Sequence, residues 1–280
     1  MLHSRAYLIN GRFDAAITPS DRGFAYGDGV FRTMPCISGI PHCWSHHYAK
    51  LESDCNALSI VCPQQDILFD DIQKLCREPG WQHECVIKIV ITRGESGRGY
   101  ALPPLAQPNR VVIASPAPEF PENNFSEGIT LHLCQTRLSS QPRLAGIKHL
   151  NRLENVLARM EWTDNHIADG LLLDEKGNVI ECTTSNLFAR IGDALVTPDL
   201  TQCGVAGVTR SRVLQLGPVL GCAIKIRPIR LSELMDADEV IVCNSIFGAW
   251  QVRRLVSHTW PLGALAARLR EHLKHDDKAN

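Results

Sequence analysis

Lys148 is the residue whose surroundings most favour covalent chemistry. It follows the apolar segment 144–147 and precedes a run in which apolar residues recur at helical spacing. These apolar residues are Leu150, Leu153, Val156, Leu157 and Met160. Because a helix N-terminus carries partial positive charge and apolar walls disfavour an ammonium group, this position favours the neutral amine that Schiff-base formation requires. The residues alone leave open an ordinary lysine that reaches water from the first helical turn.

Three later residues carry polar groups where strands and helices begin or end. Glu181 interrupts a strand otherwise made of β-forming residues, so it either faces solvent or points inward with a partner. A glycine-rich segment ends at Thr209 before an amphipathic run, a composition typical of a phosphate cradle and also of a plain helix cap. Ser245 places a hydroxyl just after the buried strand predicted over 239–243.

A glycine-rich loop, 93–100, follows a strand that β-branched composition predicts over 86–92. A nucleotide-type phosphate loop is excluded here, because the Gly-Lys-Ser/Thr ending is absent and no helical pattern follows. The loop is therefore predicted to be a turn whose arginines could face a ligand.

Strand and helix patterns along the chain predict an α+β fold. Asn10-Gly11 is a strong signal for a hairpin turn, and amphipathic helices are expected over 47–60 and 64–76. Four short strands separated by turn residues are expected between positions 170 and 197. A closing amphipathic helix is expected over 262–273.

The stretch 116–127 contains three prolines and several polar residues, and it predicts an interdomain linker, placed at 119–127. It would separate a smaller N-terminal α/β domain, 1–118, from a larger domain, 128–280, that contains Lys148. A chain of 280 residues accommodates two domains of ordinary size.

The composition indicates a globular protein. Apolar residues make up 44% and charged residues 21% of the chain, and the net charge is −1, which excludes disorder and disfavours electrostatic binding of nucleic acid. The sequence contains neither a recognisable secretion signal nor an apolar run of membrane-spanning length. We therefore expect a cytoplasmic protein that binds neither nucleic acid nor membrane.

The 11 cysteines are odd in number and include no Cys-x-x-Cys pair, so we expect reduced, mostly buried thiols. His42 and His46 stand four positions apart and could share a helix face. Because no third ligand accompanies them in a known spacing, zinc is disfavoured and no metal is expected.

Four separated segments, taken together in their order and spacing, resemble those of fold type IV enzymes that use pyridoxal 5′-phosphate (PLP). This group includes branched-chain and D-amino-acid transaminases. The segments are 20–33, 146–148, 181–188 and 207–210. Within the group, Leu144-Ala-Gly-Ile-Lys-His-Leu-Asn-Arg-Leu-Glu154 is similar to the lysine segment of the lyases that act on aminodeoxychorismate. Leu153 stands where branched-chain transaminases usually have a tyrosine.

The resemblance implies a role for each candidate residue. Lys148 would bind PLP covalently, and Glu181 would keep the pyridine nitrogen protonated so that the ring accepts electrons. Val208 and Thr209 would offer backbone amides to the phosphate, and Ser245 would offer its hydroxyl. A two-domain fold, with a β-barrel-like C-terminal domain that carries helices, and a homodimer are also implied.

One position departs from the family pattern. His47-Tyr-Ala-Lys50-Leu51 stands where the family commonly has His-x-x-Arg-Leu, with the arginine on the phosphate. Lys50 is expected to bind the phosphate as a point charge, without the bidentate fork of arginine.

The implied reaction converts 4-amino-4-deoxychorismate to 4-aminobenzoate and pyruvate. Thr33, Arg98 and Tyr100 are candidates for substrate binding, because their segments resemble those of the lyases. The alternatives are a D- or branched-chain-amino-acid transaminase on the same fold, or a non-catalytic chain that keeps the fold as a binding module. The presence of both Lys148 and Glu181 disfavours the non-catalytic alternative.

Overall fold

The structure, a computed structural model, describes residues 6–102 and 104–276. The chain divides into two compact units. The first contains the described residues up to Pro118 together with Lys148–Asn151, and the second contains Glu119–Ile147 and the described residues from Arg152 onward. Lys148–Asn151 are thus the one segment after Pro118 that belongs to the first unit.

The first unit is built on an antiparallel sheet with two long helices. Its elements are β1 (Tyr7–Ile9), α1 (Arg22–Tyr26), β2 (Gly29–Ile37), β3 (Ile40–Pro41), α2 (Trp44–Ala57), α3 (Gln65–Cys76), β4 (Glu84–Thr92) and β5 (Asn109–Ser115). The strand order is β1-β5-β4-β2-β3. Helix α2 packs against β2 and helix α3 against β5, and these contacts bury Leu51, Leu68 and Ile72.

The second unit is built on a larger mixed sheet in the order β11-β10-β9-β12-β13-β6-β7-β8, with β14 paired to β13. Its strands are β6 (Ile129–Leu138), β7 (Ile167–Asp174), β8 (Val179–Cys182), β9 (Asn186–Ile191), β10 (Ala194–Thr197), β11 (Ala223–Ile226), β12 (Glu239–Asn244), β13 (Gly248–Leu255) and β14 (His258–Thr259). Its helices are α4 (Asn123–Ser126), α5 (Leu153–Arg159), α6 (Val208–Gln215), α7 (Gly217–Leu220), α8 (Leu231–Met235) and α9 (Leu265–Asp276).

Both faces of this sheet are covered by apolar side chains, as strand β12 illustrates. Val240 and Val242 belong to one core cluster, and the alternate residue Ile241 belongs to another that includes Val213 of α6 and Leu269 of α9. Because successive side chains of a strand point to opposite faces, a strand buried on both faces has a continuous apolar run instead of an alternating pattern. This accounts for the continuous apolar run of β12.

Several local predictions are confirmed. Asn10 and Gly11 have φ values of 50° and 77°, as a tight hairpin turn requires. Helix α3 nearly matches the predicted range, and α2 begins three residues before the predicted start at His47. In the part of the chain that the structure describes, no helix combines the length and apolar character needed to cross a bilayer.

The prediction that Lys148 begins a helix is wrong, because α5 begins only at Leu153. Residues 148–150 instead run antiparallel to β2. The Phe31 N–H donates to the Lys148 carbonyl and the Leu150 N–H to the Gly29 carbonyl, each at 2.9 Å. Pairing with the sheet overrides the local helical pattern, and the same bonds place Lys148 in the first unit rather than the second.

The structure shows where the predicted linker segment and the two histidines lie. Segment 119–127 contains α4 and packs within the second unit, where the Phe120 and Phe125 rings lie 4.8 and 5.6 Å from the Trp250 ring. His42 and His46 share no helix face, because α2 begins at Trp44 and leaves His42 in the preceding turn.

Gly94, in the loop after β4, has no room for a side chain. Its φ is +89°, and a Cβ would contact the backbone carbonyl oxygen of Gln107. Gly94→Ala should therefore lower the free energy of unfolding by roughly 3 kcal/mol or more, measured by urea denaturation.

Gly97→Ala in the same loop is the control. Nothing lies within 4 Å of a Cβ placed there, so stability should change by less than about 0.5 kcal/mol. Equal losses in the two variants would contradict the steric account of Gly94.

Candidate active site

Lys148 extends its side chain over an aromatic ring of β2. Its Nζ lies 4.6 Å from the centroid of the Phe31 ring. The backbone is held on two sides, because the Lys148 carbonyl accepts from Phe31 N–H and the Lys148 N–H donates to Asp54 Oδ2 at 3.1 Å. The structure therefore places the predicted lysine with an anchored main chain and with its amine against an apolar surface.

A second amine, that of Lys88, lies at the same ring. Its Nζ is 4.8 Å from the Phe31 centroid, and Lys88 stands opposite the half-buried Thr33 in the pairing of β2 with β4. Sequence reasoning missed Lys88, because a lysine in a strand is usually a solvent-facing residue. The strand register is the signal that identifies it, since it brings Lys88 beside the predicted substrate residue Thr33.

Lys50 belongs to a buried group of three charged side chains. Its Nζ forms an ion pair with Asp54 Oδ1, and Asp54 Oδ2 is paired with the Arg32 guanidinium. Asp54 and Arg32 are 1% and 2% exposed, and Lys50 is 22% exposed. Burial, and secondly the Arg32 charge, lower the pKa of Lys50 to about 7, an effect that the Asp54 carboxylate opposes. Burial likewise lowers the pKa of Arg32 to about 10.

The two arginines of the loop 93–100 differ in their surroundings, because Arg93 is buried and Arg98 is exposed. Arg93 is buried and donates to the Asp28 carboxylate, at 2.7 Å from Nε, and Arg22 donates to the same carboxylate at 2.8 Å. Burial raises the pKa of Asp28, but the hydrogen bonds and charges of the two arginines outweigh it and lower that pKa overall. Arg93 is therefore a structural residue of the loop.

The other two candidates in this loop are on its surface. Arg98 and Tyr100 are both exposed, and the Tyr100 ring lies 5.4 Å from that of Tyr26. These positions leave both side chains accessible to a ligand.

Glu181 points inward and is only 3% exposed. Its Oε2 accepts from the Val205 N–H at 2.8 Å and from Asn186 Nδ2 at 3.4 Å. The negative charge of Glu181 also acts on Arg152. Burial lowers the pKa of Arg152, and the Glu181 charge opposes that lowering. The carboxylate is thus buried with hydrogen-bonding partners, which is the inward alternative left open by the sequence.

Asn186 connects Glu181 to the start of α6. Besides its bond to Glu181, Asn186 Nδ2 donates to the Val205 carbonyl at 2.8 Å, and Asn186 Oδ1 accepts from the Gly207 N–H at 3.1 Å. A Cβ at Gly207 would contact Asn186 Oδ1, so a larger residue there would displace the Asn186 side chain. Sequence reasoning did not identify this role of Asn186.

The predicted phosphate cradle lies at the start of α6. Gly207 is the N-cap and Val208 begins the helix, so the amides of Val208 and Thr209 lie in the first turn, where a helix supplies no acceptor for them. The Thr209 and Ser245 hydroxyl oxygens are 3.2 Å apart. The structure therefore brings together two hydroxyls and a helix N-terminus, a combination suited to an anion.

Asp169, another residue missed from the sequence, fixes the turn between β8 and β9. Its carboxylate accepts from the hydroxyls of Thr183, Thr184 and Ser185 at 2.5, 2.8 and 2.8 Å. This turn joins the strand of Glu181 to that of Asn186. Asp169 therefore helps to set the spacing of the two residues that hold the start of α6.

The family described as amino-transferase class IV matches residues 29–255 of this chain. The chain belongs to the class IV aminotransferase family. The match includes Lys148, Glu181 and the start of α6, and the α+β, fold type IV prediction is confirmed.

Relatives of this class IV chain include lyases and aminotransferases. An aminodeoxychorismate lyase of Vibrio harveyi is 35% identical over 95% of this chain and 99% of its own. The crystal structure of 4-amino-4-deoxychorismate lyase from Pseudomonas aeruginosa has a TM-score of 0.91 and 43% identity, covering 96% of this chain and 98% of that one. A putative branched-chain-amino-acid aminotransferase of Methanocaldococcus jannaschii is 27% identical over 95% of this chain and 94% of its own.

Asn186 offers a test of the network that holds the start of α6. Asn186→Ala should lower the free energy of unfolding by about 1–3 kcal/mol through lost buried hydrogen bonds. Asn186→Asp should cost more, because a carboxylate oxygen would face the Val205 carbonyl and the Glu181 carboxylate in place of a donor.

The control is Asn123→Asp, the same chemical change at an exposed position, which should alter stability by less than about 0.5 kcal/mol. Urea denaturation at neutral pH measures all three variants. If Asn186→Asp were as stable as the parent protein, Asn186 Nδ2 would not be the donor in these bonds.

Proposed function

We propose that this chain is a PLP-dependent lyase that converts 4-amino-4-deoxychorismate to 4-aminobenzoate and pyruvate. The observation that carries the proposal is similarity along nearly the whole chain to two aminodeoxychorismate lyases, at 35% and 43% identity. The lyase-like residues after Lys148, with Leu153 where branched-chain transaminases usually have tyrosine, agree with it.

The groups at the start of α6 fit the phosphate of PLP. The first-turn amides of Val208 and Thr209 and the hydroxyl of Ser245 can donate to phosphate oxygens. Lys50 is proposed to bind the phosphate through its amine, which also forms an ion pair with Asp54. In this proposal Glu181, buried and held by Val205 and Asn186, keeps a proton on the pyridine nitrogen.

Lys148 has two roles in the proposed reaction. It binds the cofactor covalently, and its amine acts as the base once the substrate has released it. PLP, when bound, withdraws electrons from the substrate carbon that bears nitrogen. The Lys148 amine takes the proton from that carbon. The bond between the substrate's six-membered ring and the enolpyruvyl oxygen then breaks, and the substrate ring becomes aromatic. Lys148 then returns a proton to the departing group, which leaves as pyruvate.

The substrate carries two carboxylates that the protein must bind. We propose Arg98 as a cationic partner on the exposed loop, with Tyr100 beside it and Thr33 on β2 as hydroxyl donors. A transaminase of D- or branched-chain amino acids is the second candidate. The similarity to the putative branched-chain-amino-acid aminotransferase of Methanocaldococcus jannaschii supports the branched-chain case. A transaminase requires a keto acid to accept the amino group, whereas the lyase reaction requires none.

We further propose that the protein is a homodimer in the cytoplasm. The apolar side chains of α5 and its end are exposed rather than packed, which suits burial against a second copy. These side chains are Leu153, Val156, Leu157 and Met160. All 11 cysteines are free thiols in the structure, as is usual in the reducing cytoplasm.

Lys148→Ala tests the proposed chemistry. Loss of the only amine assigned to covalent bonding and proton transfer should lower lyase turnover by several orders of magnitude. Borohydride reduction of the PLP-loaded parent, followed by peptide mapping, should place the label on Lys148.

Lys88→Ala is the matched control, because its amine lies at the same Phe31 ring. It should retain the covalent label. A label on Lys88, or near-normal turnover of Lys148→Ala, would contradict the assignment.

The proposed dimer is tested at Met160, which follows the last residue of α5. A glutamate in place of Met160, which is 72% exposed, would place a charge in the interface, so Met160→Glu should shift the protein towards a monomer in sedimentation velocity. Val219→Glu, at an exposed position of α7, should leave the dimer intact. A parent that sediments as an active monomer of 31.1 kDa would contradict the proposal.

A further inference from the structure

The backbone of Lys148 is held by a side chain far away in sequence. In a regular antiparallel ladder, a residue that accepts from its partner's N–H also donates its own N–H to that partner's carbonyl. Lys148 accepts from Phe31 N–H, but its own N–H donates to Asp54 Oδ2 at 3.1 Å. The carboxylate thus receives the bond that would have continued the pairing of this segment with β2.

Asp54 is able to hold this position because its own charge is balanced. It lies on α2, is 1% exposed, and forms ion pairs with Arg32 through Oδ2 and with Lys50 through Oδ1. Arg32 is 2% exposed, and its Nε has no hydrogen-bond acceptor among the described residues. The ion pair with Asp54 therefore compensates for the loss of water around the guanidinium charge. A carboxylate held in ion pairs on both oxygens is a strong acceptor for a backbone N–H.

We propose that Asp54, fixed by Arg32, is a positioning residue that sets where the Lys148 amine lies. Asp54 orients the Lys148 backbone through its N–H, and the Phe31 ring, 4.6 Å from Nζ, supports the other end of the side chain. The inference rests on the proposed function in that Lys148 is the lysine that binds PLP. The contact itself is a property of the protein that can be measured without substrate.

Two double variants separate the positioning bond from the buried charges. Arg32→Met/Asp54→Asn removes both charges and keeps a carbonyl oxygen for the Lys148 N–H. Arg32→Met/Asp54→Leu removes both charges and the acceptor, and leucine has the branched shape of asparagine. Lys50 loses its carboxylate partner in both variants. The two variants differ in the side-chain amide, whose carbonyl oxygen is the group that can accept from the Lys148 N–H. Replacing a buried ion pair by apolar groups often leaves a protein folded.

Residue-resolved hydrogen exchange of the protein with PLP bound is the first measurement. In the parent, the Lys148 amide should be protected like those of Phe31 and Leu150, which are bonded across the same pairing. The leucine double variant should exchange its Lys148 amide at least about tenfold faster than the asparagine double variant, with Phe31 remaining protected. Equal exchange in the two double variants would overturn the proposal.

The parent measurement is sufficient if neither double variant folds. An unprotected Lys148 amide beside protected Phe31 and Leu150 amides would overturn the proposal, and a protected one supports it.

Kinetics provide the second measurement. Displacement of the reacting amine should lower kcat of the leucine variant by about 10- to 100-fold relative to the asparagine variant, with a smaller change in KM. Equal kcat values would overturn a positioning role. If the parent protein lacked lyase activity, the proposed function would fail, while the exchange data would still decide whether Asp54 holds Lys148.

Discussion

The pairing of residues 148–150 with β2 is the constraint on which the proposed chemistry depends. A lysine side chain is long and flexible, so its amine can be directed only as well as its backbone is fixed. Here the bonds between Phe31 and Lys148 and between Leu150 and Gly29 fix that backbone. A helix start at Lys148 would have supplied a favourable dipole, whereas the sheet supplies a fixed position and an aromatic surface for the amine.

In the second unit, one polar network fixes the positions of Glu181 and of the start of α6. Asn186 bonds to the Glu181 carboxylate, to the Val205 carbonyl and to the Gly207 N–H. The proposed pyridine contact and the proposed phosphate contact therefore depend on the same side chain. Asp169 fixes the turn that carries this asparagine, so a carboxylate and a helix N-terminus are held at a set spacing.

The sequence predicted those features that a local pattern encodes. The Asn10-Gly11 turn and helix α3 follow from turn chemistry and helical periodicity, and the glycines before an amphipathic run indicate the helix that begins at Val208. The helical pattern after Lys148 gave the wrong helix start, because periodicity identifies an apolar helix face but does not show which residues pack against it. The large apolar residues of α5, Leu153, Val156 and Leu157, are exposed in this chain.

The residues missed from the sequence act through contacts between distant positions. Arg32 meets Asp54 across β2 and α2, and Asp169 reaches the turn at Ser185. No spacing rule links such residues, because the fold alone brings them together. Glu181 lies between these cases. From its place in an apolar strand, the sequence indicates that it needs a partner if it faces the core. Only the structure identifies Val205 and Asn186 as those partners.

Turnover of 4-amino-4-deoxychorismate tests the central claim most directly. The purified, PLP-loaded protein would be incubated with this compound in the absence of any keto acid, and 4-aminobenzoate and pyruvate would be followed together. A lyase should release the two products in equal amounts over many turnovers. Absence of both products, or amino-group transfer that proceeds only after a keto acid is added, would contradict the account.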